Sequence, residues 1–196
     1  MESIIMNTPT LMGYSLRTMG IPKELISWWT FQMGREPHML GESAERVIET
    51  IEYAYFFFDD NVPIAASGLF GARSKTKECL RFEGTRVVEV GSSVVEPTYR
   101  GRGLGKRVMK ECVEKAWERE LLPVGVSSNP IVHHIFESFG GLSMDDDQRY
   151  QELRQQLCLC EQVSPDCRLC PLAERGGWIF FPHARQRREY SDFHGL

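Results

Sequence analysis

The stretch Val94-Val95-Glu96-Pro97-Thr98-Tyr99-Arg100-Gly101-Arg102-Gly103-Leu104-Gly105-Lys106 decides the reading of this chain. Upstream, residues 86–95 are rich in valine and predict a strand. Downstream, Leu104, Val108, Met109, Cys112, Val113, Ala116 and Trp117 recur at helical spacing and predict an amphipathic helix from Gly103 to about Glu120, with Cys112 in its core stripe. Between them lies a short basic turn. Its glycines let a ligand approach the backbone without a Cβ in the way. The helix start supplies unpaired N–H groups and the positive end of a helix dipole. Arg100, Arg102 and Lys106 add formal charge. Together these suit a pyrophosphate. The glycines alone fit better a tight strand-to-helix turn with no ligand.

Working outward, Ile21-Pro22-Lys23-Glu24 predicts a helix start with proline in the first turn, running to about Met33 with Leu25, Ile26, Trp28 and Trp29. A second helix is expected after Gly41, capped by Ser43, with Ala44, Val47, Ile48, Ile51 and Tyr55 as its apolar positions. Glu42, Glu45, Glu49 and Glu52 share the opposite face and read as a solvated stripe. Tyr55–Phe58 and Val62–Phe70 bracket Asp59-Asp60-Asn61 and predict a β-hairpin. Residues 71–84 read as a loop. Leu122–Ser127 predicts a short buried strand, and Asn129 to Phe139 a helix stopped by Gly140-Gly141. The order to residue 142 is helix, helix, three strands, helix, strand, helix. That is an α/β pattern in which a hairpin feeds a crossover unit. Beyond 142 the composition shifts. A polar helix follows Asp145-Asp146-Asp147, then a cysteine cluster, then an expected last strand Trp178-Ile179-Phe180-Phe181. The chain is read as a catalytic domain over 1–142 and an extension over 143–196.

Length and charge narrow the function classes. The chain has 196 residues, 42% hydrophobic and 26% charged, which suits one domain with a small appendage and excludes general disorder. No 18-residue apolar run exists, so no membrane-spanning helix is expected, and the N-terminus carries no secretory pattern. The expected compartment is the cytoplasm, where thiols stay reduced. A net charge of -4 disfavours a nucleic-acid binder. Residues 100–110 nevertheless hold Arg100, Arg102, Lys106, Arg107 and Lys110 with no acid, which points to a compact anion.

Arg100-x-x-Gly103-x-Gly105, after a valine-rich strand and the lead-in Glu96-Pro97-x-Tyr99-Arg100-Gly101, resembles the acyl-CoA signature of the GNAT acetyltransferase superfamily. The resemblance spans roughly residues 20–142. It implies a mixed, mostly antiparallel sheet flanked by helices, here with a C-terminal cysteine-rich extension. The segment is neither a Walker loop, lacking Gly-Lys-Ser/Thr, nor a Rossmann fingerprint, since Val108 stands where the third glycine belongs.

The resemblance implies an acetyl-CoA-dependent N-acetyltransferase that moves an acetyl group directly to a primary amine. Acetyl-CoA is then the co-substrate, bound by Arg100, Gly101, Arg102, Gly103, Leu104, Gly105 and Lys106. The backbone of Ser93, Val94 and Val95 takes the thioester arm, and Asn129 hydrogen-bonds it. Glu89, eleven residues before Arg100, is the expected general base, as in the histone-type branch, with Glu83 the lesser candidate. A Glu among Val87, Val88 and Val90 is partly desolvated, which suits a base. The tyrosine acid common in the family falls on Phe136, seven residues beyond Asn129, so His133 or His134 is the substitute candidate. Three readings stay open: acetyl transfer, transfer of another acyl group, and a non-catalytic acyl-CoA-binding or zinc-braced interaction module. The acceptor is a small-molecule or protein amine, and a homodimer stays open.

Cys158-x-Cys160 and Cys167-x-x-Cys170 form two close pairs, with His183 as an alternative ligand. Four thiolates at this spacing suit structural Zn²⁺. Redox thiols and an accidental spacing are the rival readings.

Overall fold

The computed structural model describes residues 9–15, 20–36, 43–72, 79–145, 147–157 and 176–182. It divides into two compact units, 1–70 with 91–112 and 71–90 with 113–196.

In the first unit, β1 (Thr10–Ser15) pairs antiparallel with β2 (Ile51–Asp59), from Thr10 opposite Phe58 to Ser15 opposite Tyr53. A two-residue turn joins β2 to β3 (Val62–Gly71). Its residues Asp60 and Asn61 both have positive φ, 44° and 67°. That is the handedness of turn a twisted hairpin needs, and Asn and Asp tolerate it. The last residues of β5 (Thr85–Val95) lie beside β3. Glu96 N–H donates to the Ile64 carbonyl at 2.8 Å, while Ser67 Oγ reaches the Gly91 carbonyl at 3.3 Å, so the two run antiparallel.

Both faces of this sheet are covered, which is why Tyr53–Phe58 reads as a nearly unbroken apolar run. Phe56, Ala54 and Ala66 pack with Ile26, Trp29 and Met33 of α1 (Lys23–Gly34) and Val47 of α2 (Ala44–Thr50). Phe57, Ile64 and Ala65 pack instead with Leu104 and Val108 of α3 (Leu104–Glu118).

Two expectations need correction here. The second helix ends at Thr50, and Ile51 and Tyr55 belong to β2. Positions four apart satisfy a period of 2 as well as 3.6, and pairing decides for the strand, Ile51 with Phe70 and Tyr55 with both Gly13 and Ser67. Ile48 is also 38% exposed, so it is no core position. The sequence further placed no strand before residue 20, yet β1 is there, supported by its pairing with β2.

In the second unit, β4 (Arg81–Phe82) forms a small hairpin with the start of β5 through Glu83 and Gly84, whose φ values are 46° and 81°. Part of the expected loop 71–84 is thus strand. β5 pairs in parallel with β6 (Leu122–Ser127) over three residue pairs, Val87 with Leu122, Val88 with Pro123 and Glu89 with Val124. α4 (Pro130–Glu137) follows β6, and a left-handed Gly140, φ 76°, lies beyond its end. β7 (Leu142–Ser143), α5 (Gln148–Leu157) and β8 (Gly176–Ile179) complete the unit. β8 lies between β6 and β7, antiparallel to both. Val87, Leu122 and Val124 share a core with Met144, Tyr150 and Leu153, closed by Ile179 and Phe181.

Candidate functional site

The glycine turn is built from its two ends. β5 stops at Val95, a 3-10 turn spans Pro97–Tyr99, and α3 starts at Leu104. Gly101 and Gly103 sit at φ 77° and 75°. A Cβ on either would meet nothing within 4 Å, so the space above them is open and the need for glycine is conformational. The first N–H groups of α3 have no helical partner, and no acid stands in its first turn. Lys106 and Arg102 are exposed beside them.

Arg100 behaves differently. Its Nη2 pairs with Glu36 and its Nε donates to the Val95 carbonyl at 3.2 Å. The guanidinium is therefore turned back along its own strand and partly neutralised. Arg102 lies over the Tyr99 ring, 4.7 Å from its centroid, and donates to the Thr98 carbonyl at 3.3 Å. The Tyr99 hydroxyl donates to Asp59 Oδ2 at 2.5 Å, and that bond holds the phenol above its usual titration range.

Upstream of the turn, β5 is irregular at Ser92, a non-glycine residue at φ 52°. Such a residue inside a strand marks a bulge. Trp29 Nε1–H donates to the Ser92 carbonyl at 2.6 Å. Ser93 Oγ shares a 2.7 Å hydrogen bond with the buried Ser67. Cys112 of α3 is fully buried, and burial pushes its thiol up to about 12, partly offset by a hydrogen bond with Ser67. Val94 is buried in the core, so its side chain is closed to a ligand.

In the second unit, Glu89 is half-buried on β5 opposite Val124, between the buried Val88 and Val90. Glu83 is in the β4–β5 turn and pairs with Arg149 at 3.4 Å. Asn129 caps α4, its Oδ1 accepting from Ile131 N–H at 2.9 Å, which leaves its amide NH₂ as the donor end. His133 Nε2 lies 2.8 Å from the Ser127 carbonyl, and its ring packs tilted against Trp178, the centroids 4.3 Å apart. A carbonyl partner makes Nε2 the protonated nitrogen and ties the ring to the fold. His134 is exposed. Phe136 is buried against Trp178 and Phe180.

Sequence reasoning missed Trp29, Gln32, Glu36 and Ser67. Only a polar Gln on the apolar stripe of α1 hinted at the first three. It also missed a groove of about 500 Å³ lined by Met12, Tyr14, Phe58, Asp59 and Asp60 among others. Cys158, Cys160, Cys167, Cys170 and His183 lie outside the described residues. Among the described residues, no cluster of three or more His, Cys, Asp or Glu could hold a metal, and no helix is long and apolar enough to cross a membrane.

Comparison with known proteins bears on this geometry. The model of the acetyltransferase (GNAT) family matches residues 23–140, from the start of α1 to the end of the α4 region. No curated protein matches the sequence. Solved structures share the fold at low identity. A Mycobacterium tuberculosis protein, Rv2747, solved in complex with CoA, superposes at TM-score 0.60 and 10% identity, over 82% of this chain and 96% of its own. The NatC complex bound to Gag peptide and CoA gives 0.55 and 13%, over 87% and 95%. The Neisseria gonorrhoeae N-acetylglutamate synthase, complexed with coenzyme A and N-acetyl-glutamate, gives 0.56 and 13%, over 88% of this chain. The chain spans 35% of that synthase, and 34% of a GCN5-related N-acetyltransferase from Kribbella flavida. With the family model covering the glycine turn, the strand before it and both flanking helices, the chain belongs to the acetyltransferase (GNAT) family.

Proposed function

We propose that the protein is an acetyl-CoA-dependent N-acetyltransferase acting by direct transfer on a primary amine. The observation that carries this reading is the pair of left-handed glycines opening onto the N-terminus of α3, in a turn whose exposed side chains are cationic. The N–H groups of 103–106, with Arg102 and Lys106, take the pyrophosphate. The backbone of Ser93, Val94 and Val95 takes the thioester arm, and the Asn129 amide donates to it. Glu89 removes a proton from the acceptor's ammonium group. The amine nitrogen then attacks the thioester carbon, a C–N bond forms, the C–S bond breaks, and the departing thiolate takes up the proton that the new amide nitrogen sheds. The family assignment and neighbours solved with CoA support this reading. The acceptor is a cationic amine, as the acidic residues Glu45 and Glu49 on α2 suit, and we place the protein in the cytoplasm.

A second reading has one observation in its favour. Phe136 stands where the family's tyrosine acid is expected, which suits an acyl-CoA-binding module without turnover.

Titration calorimetry with CoA and acetyl-CoA tests the site. Wild type binds both, and Gly103→Glu, which adds an anion and a strained φ at the closest approach, binds neither. Wild-type affinity in a folded variant overturns the assignment. CoA release against an amine panel then separates enzyme from module.

A further inference from the structure

Trp29, Gln32 and Glu36 are spaced three and four residues apart along α1 and just past its end, so they form one stripe. Each member of the stripe holds one point on the run that enters the glycine turn. Trp29 Nε1–H donates to the Ser92 carbonyl at 2.6 Å. Gln32 Nε2–H donates to Glu96 Oε2 at 2.8 Å. Glu36 pairs with Arg100. The partners advance by four residues at each step, from the bulge, through the end of β5, to the first residue of the turn.

The chemistry of the stripe argues that these contacts are specified. Trp29 is fully buried and Gln32 is 4% exposed, so each needs a partner for its polar hydrogens. Glu36 follows the C-terminus of a helix with no base in its last turn, where an acid is disfavoured by the helix dipole. Arg100 supplies the charge that makes this placement favourable. Gly101 and Gly103 carry no side chains, and the residue between them, Arg102, holds only the turn's own Thr98 carbonyl and Tyr99 ring. What ties the turn to the rest of the fold is Tyr99 on Asp59, Arg100 on Glu36, and α3. The trans peptide adds a consequence at the bulge: with the Ser92 carbonyl held by Trp29, the Ser93 N–H points the opposite way.

We infer that α1 is a brace for the acyl-CoA loop, and that Gln32 and Glu36 are positioning residues for co-substrate binding which act through Glu96 and Arg100 without touching the ligand. This rests on the acyl-CoA reading of the turn. Arg100 is then a staple of the loop, not an independent ligand of the pyrophosphate.

The experiment is a double-mutant cycle in the full chain: Glu36→Gln, Arg100→Gln, both together, and Glu36→Asp. Glu36 is 23% exposed, and thermal melts check that each variant folds. Two readouts are used, hydrogen exchange of amides 98–107 without ligand and calorimetry with CoA. Each single Gln variant speeds exchange in that segment and weakens CoA by roughly twofold to fivefold, the effect of a half-exposed ion pair. The double variant is no weaker than Arg100→Gln alone, and Glu36→Asp retains most of the affinity. Losses that add independently, or a Glu36→Gln variant unchanged in exchange and affinity, overturn the brace while leaving the acyl-CoA site standing. A wild-type chain that binds no CoA overturns both.

Discussion

The Tyr99 hydroxyl donates to Asp59 Oδ2 at 2.5 Å and so ties the turn before the glycine loop to the last residue of β2. The bond favours the protonated phenol, and Tyr99 titrates above the usual tyrosine value of 10.0. The folded state therefore holds this proton after the unfolded chain has lost it. The stabilisation is complete below about pH 10 and is lost as pH rises through the raised value. Melting curves of wild type and Tyr99→Phe between pH 8 and 11.5 check this. Wild type is the more stable at pH 8, and the gap closes above pH 10. Parallel curves would refute the assignment.

Cys112 is expected to be inert. Its thiol is buried beside Ser67 and pushed up to about 12, whereas Cys79 is exposed. The thiolate is the reactive form. At pH 8.5 a maleimide should label Cys79 in the native protein and reach Cys112 only in denaturant. Peptide mapping by mass spectrometry distinguishes the two sites, and native labelling of Cys112 would contradict the packing.

Restoring the family's tyrosine should not restore an acid. The Cζ of Phe136 lies 2.5 Å from where a Cβ on Gly125 would stand, and its ring packs on Trp178 and Phe180. A hydroxyl added there is overpacked and unsatisfied, costing about 1–3 kcal/mol. Urea unfolding of Phe136→Tyr should show that loss, with no gain in turnover. A variant as stable as wild type would mean the ring has room to move.

Glu89→Gln should fold and bind acetyl-CoA but transfer the acetyl group roughly 10²–10⁴-fold more slowly, the usual cost of a missing base. The deficit should shrink at high pH, where free amine is abundant. A kcat/KM unchanged across pH removes Glu89 from the mechanism.

The spacing of Cys158, Cys160, Cys167 and Cys170 predicts about one zinc per chain, since thiolate–metal bonds can stabilise a segment with little apolar content. Elemental analysis of protein purified without chelator checks it. Metal content near zero, with four thiols titrating freely, rules it out. Cys167→Ser should leave CoA binding intact.

Much of the fold was legible locally. The hairpin turn within Asp59-Asp60-Asn61, the α3 stripe and the helix that follows Asn129 each depend on residues within a turn or two of one another, and all stand where the sequence places them. The glycine turn was legible for the same reason, because positive φ at Gly101 and Gly103 is a property of those residues. What failed depended on partners distant in the chain. Ile51 and Tyr55 satisfy both periods, and only pairing, of Ile51 with β3 and of Tyr55 with both β1 and β3, makes them strand.

The sequence by itself determined a strand, a cationic glycine turn and a helix start, because backbone freedom and charge are local properties. The tertiary structure alone decided what those charges face. Glu36 and Arg100 are 64 positions apart, as are Gln32 and Glu96, and no periodicity links such pairs. Helix α1 must first dock its buried Trp29 against the sheet before these groups meet. That docking turns Arg100 away from the open side of the loop and toward a carboxylate, a choice that chain distance conceals and packing enforces.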